Sequence, residues 1–148
     1  MSWAGVLSTI QTHLETAGAT LSPAITYVRA SEPVALPQDL IAYWYEGDID
    51  DDSTWSQVNT KERMTITVYR RVGDRKDDFA ADLEVWLRDA NRAIQTRLYG
   101  DEYLGGNCIR LTIGATSAGW AQYEPDRWAR TLVIPLEVSL ANTATIAA

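Results

Sequence analysis

Between Asp77 and Leu98 the apolar residues Phe79, Leu83, Trp86, Leu87, Ala90, Ile94 and Leu98 recur at offsets of 4, 7, 8, 11, 15 and 19 from the first. Only an α-helix brings such offsets onto one face, so this segment reads as a long helix that must bury a single stripe against another layer. Asp77 and Asp78 in its first turn and Arg97 in its last each oppose the end of the helix dipole they sit on. Gly100 closes it.

The layer it covers is legible in alternation. From Lys61 to Arg71, Met64, Ile66 and Val68 face one way and Thr65, Thr67 and Tyr69 the other, the pattern of a half-buried strand. A second alternating run, Trp128 to Leu140, sends Leu132, Ile134, Leu136, Val138 and Leu140 to one face. Pro135 lacks a ladder donor, which predicts an edge or bulged strand there. Shorter strands are expected over Ala24–Arg29, Leu40–Glu46 and Cys108–Ile113. An N-terminal helix over residues 3–17 is capped by Ser2, buries Val6, Leu7, Ile10, Leu14 and Ala17, and is expected to end on a left-handed Gly18. Pro33 and Pro37 break the chain after the first strand, and Gly47–Ser56 reads as a polar, acidic loop. The class is therefore α+β, a mixed or mainly antiparallel sheet with two helices packed against it, in the order α-β-β-β-α-β-β. Residues 1–140 form one domain and the small, uncharged residues 141–148 a flexible C-terminal tail.

Composition narrows the function classes. A chain of 148 residues can bury about two-thirds of its unfolded surface without covalent help. The single Cys108 excludes an intramolecular disulfide and reads as a buried structural thiol. No window approaches the roughly 18 consecutive apolar residues of a membrane span, and no basic segment precedes an apolar one at the start, so an untargeted intracellular protein is expected. The net charge of −7 is unevenly placed: residues 1–60 hold Arg29 against eight carboxylates, whereas residues 61–148 hold twelve of each sign. That layout argues against a general nucleic-acid binder, which needs a concentrated positive face.

Signals of chemistry are sparse. Asp48, Asp50 and Asp52, with Asp51 between them, place oxygens at i, i+2 and i+4, a spacing that can gather ligands around a hard cation. Counted from Asp48, however, the sixth position of a calcium loop is Ser53 and the twelfth Asn59, where a glycine and a glutamate are required. A solvated acidic loop that meets a partner is the plainer reading, and no metal or other cofactor is expected. His13, the only histidine, has no nucleophile in a strained elbow beside it, and neither Gly-x-Ser-x-Gly nor His-Glu-x-x-His occurs. No catalytic residues are expected, nor an enzyme. The basic run Arg70, Arg71, Arg75 and Lys76 can meet phosphate, or it can pair with the Asp48–Asp52 loop of another subunit, as a head-to-tail ring would require. Trp55, Trp120 and Tyr123 fall in loop-like stretches, and aromatic side chains there can anchor a partner.

The element order, with the helix Trp3 to Ala17, the polar segment Gly47 to Ser56, the strand Met64-Thr65-Ile66-Thr67-Val68-Tyr69 and the closing strand Leu132-Val133-Ile134-Pro135-Leu136-Glu137-Val138, resembles phage tail terminator proteins and the related tail-completion or minor tail proteins. The resemblance spans nearly the whole chain. It implies a virion structural protein, assembled in the bacterial host cytoplasm. The subunits would form a hexameric ring at the head-proximal end of the tail, ending tail-tube polymerisation and taking part in head-tail joining. Implied partners are further copies of the chain, the tail-tube protein and a head-completion or neck protein. DNA would pass through the lumen without specific binding, and no membrane is involved. The alternatives are a head-tail connector that contacts DNA through the basic run and a small divalent-metal module built on the acidic loop.

Overall fold

The computed structural model describes residues 2–51, 57–73 and 81–143; the side chains of 48–51, 57–59, 73, 142 and 143 are outside the description. Helix α1 (Trp3–Ala19) is followed by strands β1 (Val28–Arg29), β2 (Leu40–Asp51) and β3 (Gln57–Gly73). Helix α2 (Ala81–Tyr99), a short 3-10 turn at Leu104–Gly106, and strands β4 (Arg110–Ile113), β5 (Ser117–Glu124) and β6 (Arg127–Thr143) complete the chain. The sheet runs β1-β2-β3-β6-β4, with β5 beside β4 on the same edge of β6. Among the described strands only β1 pairs in parallel; the other pairings are antiparallel. The α+β class and the order of helices and strands are those read from the sequence, and the sheet gains β5.

Both helices lie on one face of the sheet. Ser2 Oγ accepts from Gly5 N at 3.1 Å, satisfying one of the free N–H groups of the first turn of α1. Val6, Ile10, Leu14 and Ala17 of α1 and Trp86, Leu87, Ala90, Ile94 and Leu98 of α2 join Ile41, Tyr43, Met64, Ile66, Val68, Leu132, Ile134, Leu136 and Val138 of the sheet in one core. Burying each such aliphatic side chain contributes about 1.5–3 kcal/mol before the entropy of ordering it. The opposite face has a smaller cluster of Leu36, Leu40, Ala42 and Ala129, flanked by Trp44, Tyr69 and Tyr123.

Several expectations change. The N-terminal helix continues through Gly18, which is not left-handed; a Cβ there would lie 2.6 Å from the Ile25 carbonyl oxygen, so glycine is required by that close crossing. Of the strand expected at Ala24–Arg29 only Val28–Arg29 pairs. Residues 47–51 are not loop but strand: Gly47, at φ 114°, makes a bulge opposite Arg63, and pairing with β3 resumes and continues to Asp51 opposite Thr60. Trp120 and Tyr123, expected in loops, lie on β5, which returns to β6 through Pro125 and the left-handed Asp126, φ 60°. Finally, β6 is neither an edge strand nor bulged at Pro135, since Thr65, Pro135 and their neighbours on both sides stay in continuous register. Pro135 is tolerated because its nitrogen points toward the break between β4 and β5, where its own carbonyl accepts from Gly114 N at 2.9 Å. The strand runs on to Thr143, and residues 144–148 lie outside the described residues.

Candidate subunit interface

Toward one end of the sheet, β2, β3 and β6 form a segment paired from Tyr45 opposite Met64 out to Asp51 opposite Thr60 and Gln57 opposite Thr143, flanked by β4 as far as Ser139 and facing the helix-side core with Met64, Leu136, Val138 and Leu140. Its backbone carries Asp48, Asp50 and Asp51; Asp52 and Trp55 lie outside the described residues, as do Arg75 and Lys76. From residue 46 to 63 the sequence places six carboxylates against Lys61 and Arg63. This segment is strongly acidic in sequence.

At the other end of the sheet the arginines are held within the subunit. Arg70 on β3 and Arg130 on β6 are directly opposed in register. Each stacks on a tryptophan, Arg70 at 4.8 Å from the Trp86 ring centre and Arg130 at 4.7 Å from that of Trp120. Glu84 of α2 grips Arg130 with two hydrogen bonds, Nε to Oε1 at 2.9 Å and Nη2 to Oε2 at 3.0 Å, while Arg130 Nη1 donates to the Gly119 carbonyl. Asp39 lies 3.4 Å from Arg70 Nη1, near enough for an ion pair but without hydrogen-bond alignment, so this contact is the weaker of the two. On the opposite face Arg71 donates from Nε to the Tyr123 hydroxyl at 3.0 Å and from Nη1 to the Pro37 carbonyl, and its backbone N–H donates to Asp39 Oδ1. Two opposed guanidinium groups are thus tolerated because each has its own aromatic face and carboxylate. Arg130 and Glu84 were not singled out from sequence; the register of β3 on β6, which pairs Arg130 with Arg70, is what reveals them.

Trp120 therefore has a place in the fold: it is the platform under Arg130. Arg70 and Arg71, the described members of the basic run, are likewise occupied inside the subunit.

The titratable groups near the end of α2 are also structural. His13 Nε2 lies 2.8 Å from Asp101 Oδ2 and Arg97 Nη2 lies 3.3 Å from His13 Nδ1, which ties α1 to the end of α2. Burial pushes the Asp101 carboxyl up, but the Gly105 N–H, His13 and Arg97 outweigh it and leave its pKa below 3.8. Cys108 is buried, its Sγ 3.5 Å from the Glu102 carbonyl, and burial followed by the Asp101 charge pushes the thiol up to about 11. A thiol in that state is a poor nucleophile. The uncovered sheet face carries a cleft of about 380 Å³ lined by Glu46, Arg63, Thr65, Thr112 and Glu137, where Thr65 Oγ1 donates to Glu46 Oε1 at 3.1 Å and the same carboxylate oxygen accepts from Trp44 Nε1. Among the described residues no group of three His, Cys, Asp or Glu side chains is placed to hold a metal ion, and no helix is long and apolar enough to cross a membrane.

The fold has a solved counterpart. It is similar to a chain from the virion of a native gene transfer agent particle, with a TM-score of 0.50 and 18% identity over 93% of this chain and 99% of that one. At that identity the likeness is one of architecture. No family model matches the chain, and no curated protein matches it.

Proposed function

We propose that the chain is a non-enzymatic structural component of a phage-like virion, and within it a ring subunit at the head-proximal end of the tail. In this role it ends tube polymerisation and joins the tube to the head. The observation that carries the reading is the fold likeness to a gene transfer agent virion chain along almost the full length of both chains. Support comes from the shape and charge of the subunit. A sheet with an acid-rich end formed by β2, β3 and β6 suits repeated contact between copies. It also suits a lumen wall that does not retain the phosphate backbone of passing DNA. Its partners would be further copies, the tail-tube protein and a head-completion or neck protein.

The alternative of a DNA-contacting connector finds less support, because Arg70 and Arg71 are committed to aromatic, carbonyl and carboxylate partners in the subunit. Mass photometry and light scattering across concentration, with and without tail-tube protein, test the ring reading. Closed oligomers are expected. A strictly monomeric protein under both conditions would overturn it.

A further inference from the structure

His13 of α1, the sole histidine of the chain, stands between a cation on α2 and an anion just past its end. Its Nε2 lies 2.8 Å from Asp101 Oδ2, and Arg97 Nη2 lies 3.3 Å from its Nδ1. A guanidinium has N–H groups and no acceptor, so the ring nitrogen it meets must be the one without a proton. Nδ1 is therefore the acceptor. The neutral ring keeps its proton on Nε2, where Asp101 accepts it.

The same geometry fixes where a second proton goes. Asp101 holds its other oxygen, Oδ1, against the Gly105 N–H at 2.9 Å, and its carboxyl, kept below 3.8, is an anion wherever imidazoles titrate. Nε2–H thus stays with Asp101 in both states of the ring, and the position open to a proton is Nδ1, the atom that Arg97 meets. With Nδ1 protonated, N–H would face N–H and two cations would stand 3.3 Å apart. No other charge near the ring offsets that clash. Glu15, two residues along α1, does not share its side of the helix. Cys108, beside Asp101, is a neutral thiol pushed up to about 11. Among the described residues His13 has no ion pair other than that with Asp101. The His13 side chain is only 12% exposed, so water screens it poorly, whereas Arg97 is exposed and has solvent to move into.

We propose that His13 is a proton-operated latch. As the neutral Nε2–H tautomer it holds Arg97 against α1; on taking up a proton at Nδ1 it releases Arg97 to solvent and keeps Asp101. The corner where α1 meets the end of α2 then gains one positive charge and an unattached guanidinium, on a helix whose exposed side already carries Arg88 and Arg92. The latch belongs to the single subunit and does not depend on the ring reading.

Nitrogen-15 NMR of the full chain tests this, since one histidine gives one set of ring signals. At about pH 8 the long-range proton–nitrogen pattern is expected to be that of the Nε2–H tautomer. An Nδ1–H ring, or an equal mixture of the two, would refute the assignment. As pH is lowered toward about 5, the Arg97 side-chain signals, identified by their loss in Arg97→Leu, are expected to change with the midpoint of the His13 ring and to reach the values of a solvated arginine. Arg97 signals that stay fixed through the His13 transition would overturn the latch. Two variants should move that midpoint in opposite directions: Arg97→Leu raises it by about half a pH unit or more, because a repelling cation is gone, and Asp101→Asn lowers it by about as much. A midpoint that Arg97→Leu leaves in place or lowers contradicts the proposal. Position 97 is exposed, and circular dichroism melts of each variant check that folding is unchanged.

Discussion

Arg130 and Arg88 are both long cations near the same helix, yet they serve opposite ends. Arg130 is enclosed by Trp120, the Glu84 carboxylate and the Gly119 carbonyl, with only 14% of its side chain exposed. Arg88 stands in solvent one turn along α2 from the same Glu84, without an ion pair among the described residues. A guanidinium with an aromatic face and a two-point carboxylate contributes to the fold; one left bare is available to a partner. Arg97 lies between these extremes, exposed yet within reach of His13. The difference is one of surroundings, since the residue type is the same in all three.

Removing the enclosed cation should have the largest effect. Arg130→Ala leaves Glu84 without its partner and Trp120 without its stacked group, and should cost roughly 2 kcal/mol in urea-unfolding experiments. A loss within the noise of the measurement would mean that enclosure contributes nothing and that the comparison fails at its strong end.

An intermediate effect is expected where Arg97 joins His13 and Asp101. The folded-state pKa of Asp101 is lowered below 3.8, so the native protein binds fewer protons there than the unfolded chain. Its contribution is therefore fully present above the unfolded value and is lost as pH falls through the folded one. Asp101→Asn should cost about 1 kcal/mol at neutral pH, and the gap between variant and wild type should narrow as unfolding is followed at successively more acidic pH below 3.8. A gap that is constant with pH would assign the effect to packing and not to charge.

The smallest effect on stability belongs to the bare pair. Arg88→Glu with Arg92→Glu should shift unfolding by no more than about 0.5 kcal/mol, as is usual for surface positions. A large loss of stability would show that these cations hold the fold after all.

Sequence periodicity made the two helices, β3 and β6 legible, because each buries one face and that requirement writes itself as spacing 3.6 or 2. It failed at β5, whose residues Ser117–Glu124 are exposed or half-exposed on both faces and so carry no alternation; the Pro125-Asp126 turn was the available signal. The acidic segment after Gly47 looked like loop because charge and glycine usually mark one. In the structure the glycine forms a bulge, and pairing with β3 supplies what the side chains do not. The candidate interface was partly visible as charge: the acidic run is a sequence fact, and so is Arg70-Arg71. Which arginines are enclosed was not visible, because it depends on the register that sets Arg70 opposite Arg130 and on β5 carrying Trp120 beneath it.

The central claim is that this subunit works through its surfaces, by assembling with copies of itself on a tail tube. The most direct measurement is the mass of the wild-type protein, by mass photometry, alone and with tail-tube protein across a range of salt. The account predicts closed rings of uniform mass that become harder to form as salt rises. A monomer at every concentration, unchanged by the tail-tube protein, would contradict it.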